Sequence, residues 1–196
     1  MSLPDRRFLL LLAAAVLLAH GAVFWAEAPD LRLVFDNPNV KDPASLARAF
    51  LQPNPRDLPG TAMPTYSYRP MTEATFAANL FLTGPSATGI RAGSLLLHIA
   101  TCVLVFLLIR ALDLAGGGIP ARGAALWVAV HPFVAQTFDY AYQRYVLLET
   151  LLAAGTLLGY LAAMQDSGPR GSRGYRIALV CAFAALLCKE TAVTLP

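Results

Sequence analysis

From Phe8 to Ala26 the chain runs nineteen residues with a single ionisable side chain, His20. A helix of that length covers about 28 Å, close to the roughly 30 Å of hydrocarbon in a bilayer. Hydrocarbon offers the backbone no hydrogen bonds, so a run of this kind is helical if it crosses. Four more apolar stretches follow: Gly93 to Ile109, Ala124 to about Phe138, Tyr145 to Met164 and Ile177 to Cys188. The pattern predicts an all-α polytopic membrane protein with about five transmembrane helices. Composition agrees, because 57% hydrophobic and 14% charged residues leave too little polar surface for a water-soluble domain of 196 residues.

Polarity divides the chain into three parts: an N-terminal transmembrane anchor over residues 1–28, a polar loop over 29–89, and the remaining spans over 90–196. Ala26-Glu27-Ala28 has the small residues of a signal-peptide cleavage site. The apolar run is longer than a signal peptide needs and more spans follow, which favours an uncleaved anchor. Arg6 and Arg7 precede that anchor, Arg110 and Arg122 flank the Gly116-Gly117-Gly118 loop, and Arg170, Arg173 and Arg176 lie in the Gly/Ser stretch from Gln165 to Arg176. The positive-inside rule places these three regions in the cytoplasm and the 29–89 loop outside it. Thirteen arginines against two lysines suit a GC-rich bacterial genome, and hence a bacterial inner membrane with a periplasmic loop.

Prolines 38, 43, 53, 55, 59, 64 and 70 forbid a continuous helix through the long loop. Two short helices are expected within it. One spans Asp42 to Phe50, capped by Asp42 with Pro43 in its first position. The other spans Thr72 to Leu82, with Phe76, Leu80 and Phe81 on one side, and can lie along the membrane surface. Cys102, Cys181 and Cys188 fall in apolar segments without metal-ligand spacing, so they read as reduced packing residues and no metal site is expected. The basic residues form no continuous stripe, which excludes a nucleic-acid partner.

Asp30, Arg32, Asp36, Tyr68, Arg69, His131, Gln136, Asp139, Arg144, Glu149, Lys189 and Glu190 gather at the non-cytoplasmic ends of the spans. Ionisable groups are costly there and commonly face a cavity or a partner. The order Tyr68-Arg69-Pro70, His131-Pro132, Arg144 and Lys189-Glu190-Thr191 resembles the membrane O-mannosyltransferase-like proteins with tetratricopeptide repeats. The resemblance extends to Asn37-Pro38-Asn39-Val40, to Asn79 through Gly84, and to Leu96-Leu97-His98. It implies the N-terminal half of a GT-C-like module and an inverting glycosyltransferase. The resemblance implies a polyprenyl-phosphate sugar as donor, with mannose as the candidate sugar, and an acceptor outside the cytoplasm.

By that resemblance Asp30 is the general base on the acceptor hydroxyl, and Arg69, Arg144 and Lys189 are the cations for the departing phosphate. Tyr68, His131 and Glu190 complete the substrate-binding set; a divalent metal is neither implied nor excluded. Departures are also informative. Pro29 stands where the family has the first of two acids, Gln136 replaces its glutamate after the His-Pro pair, and Arg91 and Ser94 replace a His and an Asn. The chain stops near the fifth span, short of the family's later helices and repeats. These departures leave open a non-catalytic accessory subunit of a larger membrane complex, with membrane lipid as its surroundings.

Overall fold

A computed structural model of the chain describes residues 3–26, 31–51, 54–56, 65–112, 118–166 and 168–195. Nine α-helices appear among them. α1 (Leu3–His20) continues as a 3-10 helix to Trp25. The loop carries α2 (Leu31–Phe35), α3 (Pro43–Ala49) and α4 (Pro70–Thr83). α5 (Ala87–Ala111) and α6 (Gly118–Val130) come next, then α7 (Gln136–Asp139), α8 (Arg144–Gln165) and α9 (Pro169–Leu186). Two three-residue strands, β1 (Asn54–Arg56) and β2 (Thr65–Ser67), pair antiparallel within the loop, a small addition to an otherwise helical chain.

Three helical stretches are long and apolar enough to cross a membrane: Asp5–Trp25, Ala87–Ala111 and Ala141–Gln165. All five apolar segments of the sequence are helical, but the other two are not simple spans. Ala124 to Phe138 is broken at His131-Pro132, because proline has no N–H to continue α6; a 3-10 turn over Pro132–Ala135 then leads into α7. α9 begins at Pro169, inside the stretch expected to be a Gly/Ser loop. Packing outweighs the poor helix propensity of glycine there. A Cβ on Gly174 would lie 2.8 Å from Gly159 O and 3.0 Å from Ala163 N, so the bare backbones of α8 and α9 touch. Small residues at such spacing are how membrane helices approach closely.

The main core joins α1, α5, α6 and α7 through Leu12, Val16, Phe106, Ala125 and Phe138. A second core packs the loop onto the bundle through Val34, Phe76 and Ile90. Leu11, Leu18, Trp25 and Phe183 remain exposed, as lipid-facing side chains should. α3 starts where expected: Asp42 accepts from Ser45 N at 2.9 Å and from Ser45 Oγ at 2.6 Å. These two bonds hold the Asp42 carboxyl below its ordinary value. In α4, Phe76 is buried and Leu80 packs beside the second core, but Phe81 is exposed. The buried side of α4 instead carries Thr72, Glu73 and Asn79. Gly84 ends α4 at φ +67°, where glycine avoids the strain of a side chain.

The ends of the helices sort by polarity. At one end buried Asp5 of α1 is gripped by Arg110 of α5 and Arg122 of α6. Gln165 Nε2 donates to Ala111 O at 3.2 Å on that side as well. At the other end lie the starts of α4, α5 and α8 and the finish of α9, and this end positions the candidate site.

A cation cluster around Tyr145

Tyr145 is the second residue of α8, and two cations meet on its ring. The Arg69 guanidinium carbon sits 3.6 Å from the ring centroid and Lys189 Nζ sits 5.7 Å from it. The two charges are therefore no more than about 9 Å apart. Arg69 immediately precedes Pro70, the first residue of α4, so the start of that helix fixes its position. Lys189 is held by the end of α9, whose Leu187 O accepts from Met71 N at 3.3 Å and ties α9 back to α4. One helical turn beyond Tyr145, Glu149 pairs with Lys189 at 3.6 Å and accepts from Thr191 Oγ. Arg69, Tyr145, Lys189 and Glu149 are all part-exposed. Two part-exposed cations gathered on one ring suit an anion.

Arg144, the neighbouring residue, has a different environment. Its side chain is 1% exposed. Nε donates to Ser94 Oγ at 3.1 Å, Nη1 to Thr75 O at 3.4 Å, and Nη2 to Asn79 Oδ1 at 3.0 Å and to Ile90 O. The guanidinium also stacks 4.4 Å from the Phe76 centroid. These contacts tie α4, α5 and α8 together. Gly93 makes room for them, since a Cβ there would overlap Asn79 Oδ1 and lie 3.1 Å from Arg144 Nη2.

The remaining residues picked out in the sequence are more scattered. Tyr68 is exposed and donates from its hydroxyl to Phe50 O at 2.8 Å, linking α3 to the start of α4. Glu190 opens the 3-10 turn after Lys189 and is exposed. His131 caps the turn that follows α6, where its Nδ1 accepts from Phe133 N at 3.3 Å, and its ring stacks edge-on with Trp127. The structure gives His131 no contact with Arg69 or Lys189. Asp30, Pro29 and the Glu27-Ala28 part of the cleavage motif lie outside the described residues, as does Gly116-Gly117. Gln136 and Asp139 are exposed at the two ends of α7.

Sequence reasoning missed two histidines and the acceptor they share. Phe133 N is committed to His131, which leaves Ala129 O without the donor a continuing helix would supply. His20 Nε2 contacts that oxygen at 2.9 Å and His98 Nε2 at 3.5 Å, from α1 and α5 respectively. The His-Pro break in the sequence was a legible cause of an orphan carbonyl; which side chains would satisfy it was not. Tyr145 was not picked out in the sequence, and Glu149 was named among the ionisable groups at the span ends but given no role, although their i,i+4 spacing on α8 put them on one face. Arg91, expected to flank a span, is buried, and its Nη2 donates to Ala26 O at 2.7 Å.

Several known proteins resemble the chain. It is 28% identical to protein O-mannosyl-transferase Tmtc3 of Drosophila melanogaster over 192 residues, covering 85% of the chain and 20% of that protein. Tmtc1 of the same fly is 32% identical over 128 residues, covering 65% of the chain and 14% of the relative. Human TMTC4 is 29% identical over 147 residues, covering 65% and 19% respectively. The chain therefore resembles the O-mannosyltransferase-like membrane proteins while spanning a fifth or less of these relatives' length. No family model matches it. No solved structure matches it either.

Proposed function

We propose that the chain is part of a membrane glycosyltransferase that transfers a sugar, mannose by the names of its relatives, from a polyprenyl-phosphate donor. The convergence of Arg69 and Lys189 on Tyr145 is the observation that carries this reading. The cluster would take the phosphate, with the sugar over the aromatic face. The acceptor hydroxyl attacks the anomeric carbon as the carbon–oxygen bond to phosphate breaks, inverting that centre. Asp30 takes the hydroxyl proton, and polyprenyl phosphate leaves with the bonding electrons and a charge that Arg69 and Lys189 stabilise. Arg144 then acts as the tie that sets where Tyr145 stands. The site would face away from the cytoplasm, with the N-terminus cytoplasmic by the positive-inside rule; the bacterial inner membrane expected from the arginine-rich composition has no support from the relatives, which are from fly and human.

One observation favours the accessory-subunit reading. Gln136 is exposed at the start of α7 in the place of the family's glutamate, and an amide cannot take a proton. An assay of the chain in its native membrane assembly with polyprenyl-phosphate mannose decides between the two. Arg69→Gln and Lys189→Gln are each expected to weaken donor use by about tenfold, the worth of one charge-assisted hydrogen bond. Asp30→Asn is expected to abolish transfer, with Asp36→Asn as the mild control. Wild-type protein that neither binds donor nor transfers sugar, yet purifies with a larger membrane complex, would decide for the subunit.

A further inference from the structure

The opposite end of the bundle carries a groove that the proposed chemistry does not use. It encloses about 400 Å³ and is lined by Arg173, Arg176, Ile177, Val180 and Cys181 of α9. Positions 173, 176, 177 and 180 follow the i, i+3, i+4, i+7 spacing of one helical stripe. All four are exposed, while Gly171, Gly174, Ala178 and Ala185 form the separate stripe that meets α8. The stripe changes character along its length. Its first half offers two guanidinium groups near the turn from α8 and its second half offers aliphatic side chains, the whole stripe running about 10 Å along the axis. A phospholipid changes from phosphate to acyl chain over a comparable depth.

Charge narrows the occupant. Arg6, Arg7, Arg110, Arg122 and Arg170 lie at this same end with Arg173 and Arg176. Of the carboxylates described there, Asp5 is buried and already gripped by two arginines, and Asp166 accepts from Gly168 N at 2.8 Å. Arg176 Nε donates to Ser172 O of its own helix at 3.4 Å. This end is therefore a strongly positive surface above an apolar stripe, complementary to an anionic lipid headgroup with its tail attached. We propose that the α9 groove is a binding site for an anionic phospholipid, with the phosphate on Arg173 and Arg176 and an acyl chain along Ile177 and Val180. The site is distinct from the Tyr145 cluster and stands whether or not the chain transfers sugar.

The test is native mass spectrometry of the full chain released from nanodiscs of phosphatidylcholine with and without phosphatidylglycerol. Wild type is expected to retain phosphatidylglycerol in preference to phosphatidylcholine. Each of Arg173→Gln and Arg176→Gln should reduce that retention about fivefold, and the pair about 25-fold. Arg6→Gln with Arg7→Gln removes the same charge at the same end but off the groove, and should leave most of the preference in place. Val180→Trp fills the aliphatic half without altering charge and should lower retention too. All three α9 substitutions keep the Gly174 and Ala178 packing stripe, so circular dichroism should show unchanged helix content. Equal retention of the two lipids by wild type would overturn the proposal, as would equal losses from the Arg6/Arg7 and Arg173/Arg176 pairs. Disulfide trapping of Val180→Cys to another protein helix, with no lipid retained, would overturn it in favour of a helix interface.

Discussion

Gly93→Ala is a one-carbon change aimed at the Arg144 tie. The added methyl would overlap Asn79 Oδ1, the acceptor of the 3.0 Å bond from Arg144 Nη2, and lie 3.1 Å from Nη2 itself. Asn79 can move only by giving up that bond and its own 3.1 Å donation to Gly89 O. A buried bond to a charged donor is worth about 2 kcal/mol and a neutral one about 1, so the loss is about 3 kcal/mol. Alanine in place of glycine within a helix returns about 1 kcal/mol. The net expectation is about 2 kcal/mol of destabilisation, read as a lower unfolding midpoint in detergent titrations of the full chain. In an Asn79→Ala background the obstruction is gone, and Gly93→Ala should then be neutral or stabilising. Gly93→Ala more stable than wild type, or equally costly in both backgrounds, would refute the tight cradle.

Three other outcomes follow from the same geometry. Asp5→Asn should cost about 2 kcal/mol in the same titration, a buried ion-pair value reduced because Arg110 and Arg122 are part-exposed. Gly174→Leu puts a side chain against Gly159 O and Ala163 N, backbone atoms that no rotamer change can clear, so it should cost at least about 3 kcal/mol and separate α8 from α9 in cysteine cross-linking. For Asp42, hydrogen bonds from Ser45 set the folded value below the ordinary 3.8, so its contribution is present above that value and is lost as pH falls through the lower one. Protection of the Ser45 and Leu46 amides, taken relative to their intrinsic exchange rate at each pH, should therefore fall only in acid, and Asp42→Asn should keep the cap while removing that dependence.

The helical class and the long spans were legible because burial in lipid selects for length and apolarity, both of which are one-dimensional. The Asp42 cap was legible for the same reason: its partner is three residues away. What the sequence concealed depends on pairings between groups far apart in the chain. Arg144 is satisfied by the carbonyls of Thr75 and Ile90, acceptors that every residue possesses, so no residue type announces them. α9 begins among glycines because α8 needs their bare backbone, and propensity alone reads those glycines as loop. Lys189 could be read as a cation, but its pairing with Glu149 depends on how α8 and α9 return to the same end.

Magnitudes also separate the three cations that the resemblance groups as phosphate ligands. To greet an incoming phosphate, Arg144 would have to abandon four hydrogen bonds and a ring contact in a fully buried site. At about 1.5–3 kcal/mol for each bond to a charged donor, the loss exceeds what a bidentate phosphate contact returns. Arg69 would give up a part-exposed ring contact worth about 1 kcal/mol. Lys189 would exchange a part-exposed pair at 3.6 Å, worth at most about 1 kcal/mol, for a phosphate oxygen. On the proposed function, the donor phosphate is therefore expected on the two loosely held cations. The singly charged phosphodiester of the proposed donor is repelled by Glu149 until that carboxylate swings away, so donor affinity should rise in Glu149→Gln, whereas Arg144→Lys should act first on stability. Higher affinity in Glu149→Gln alongside unchanged stability would place the phosphate on Lys189; unchanged affinity would place it elsewhere.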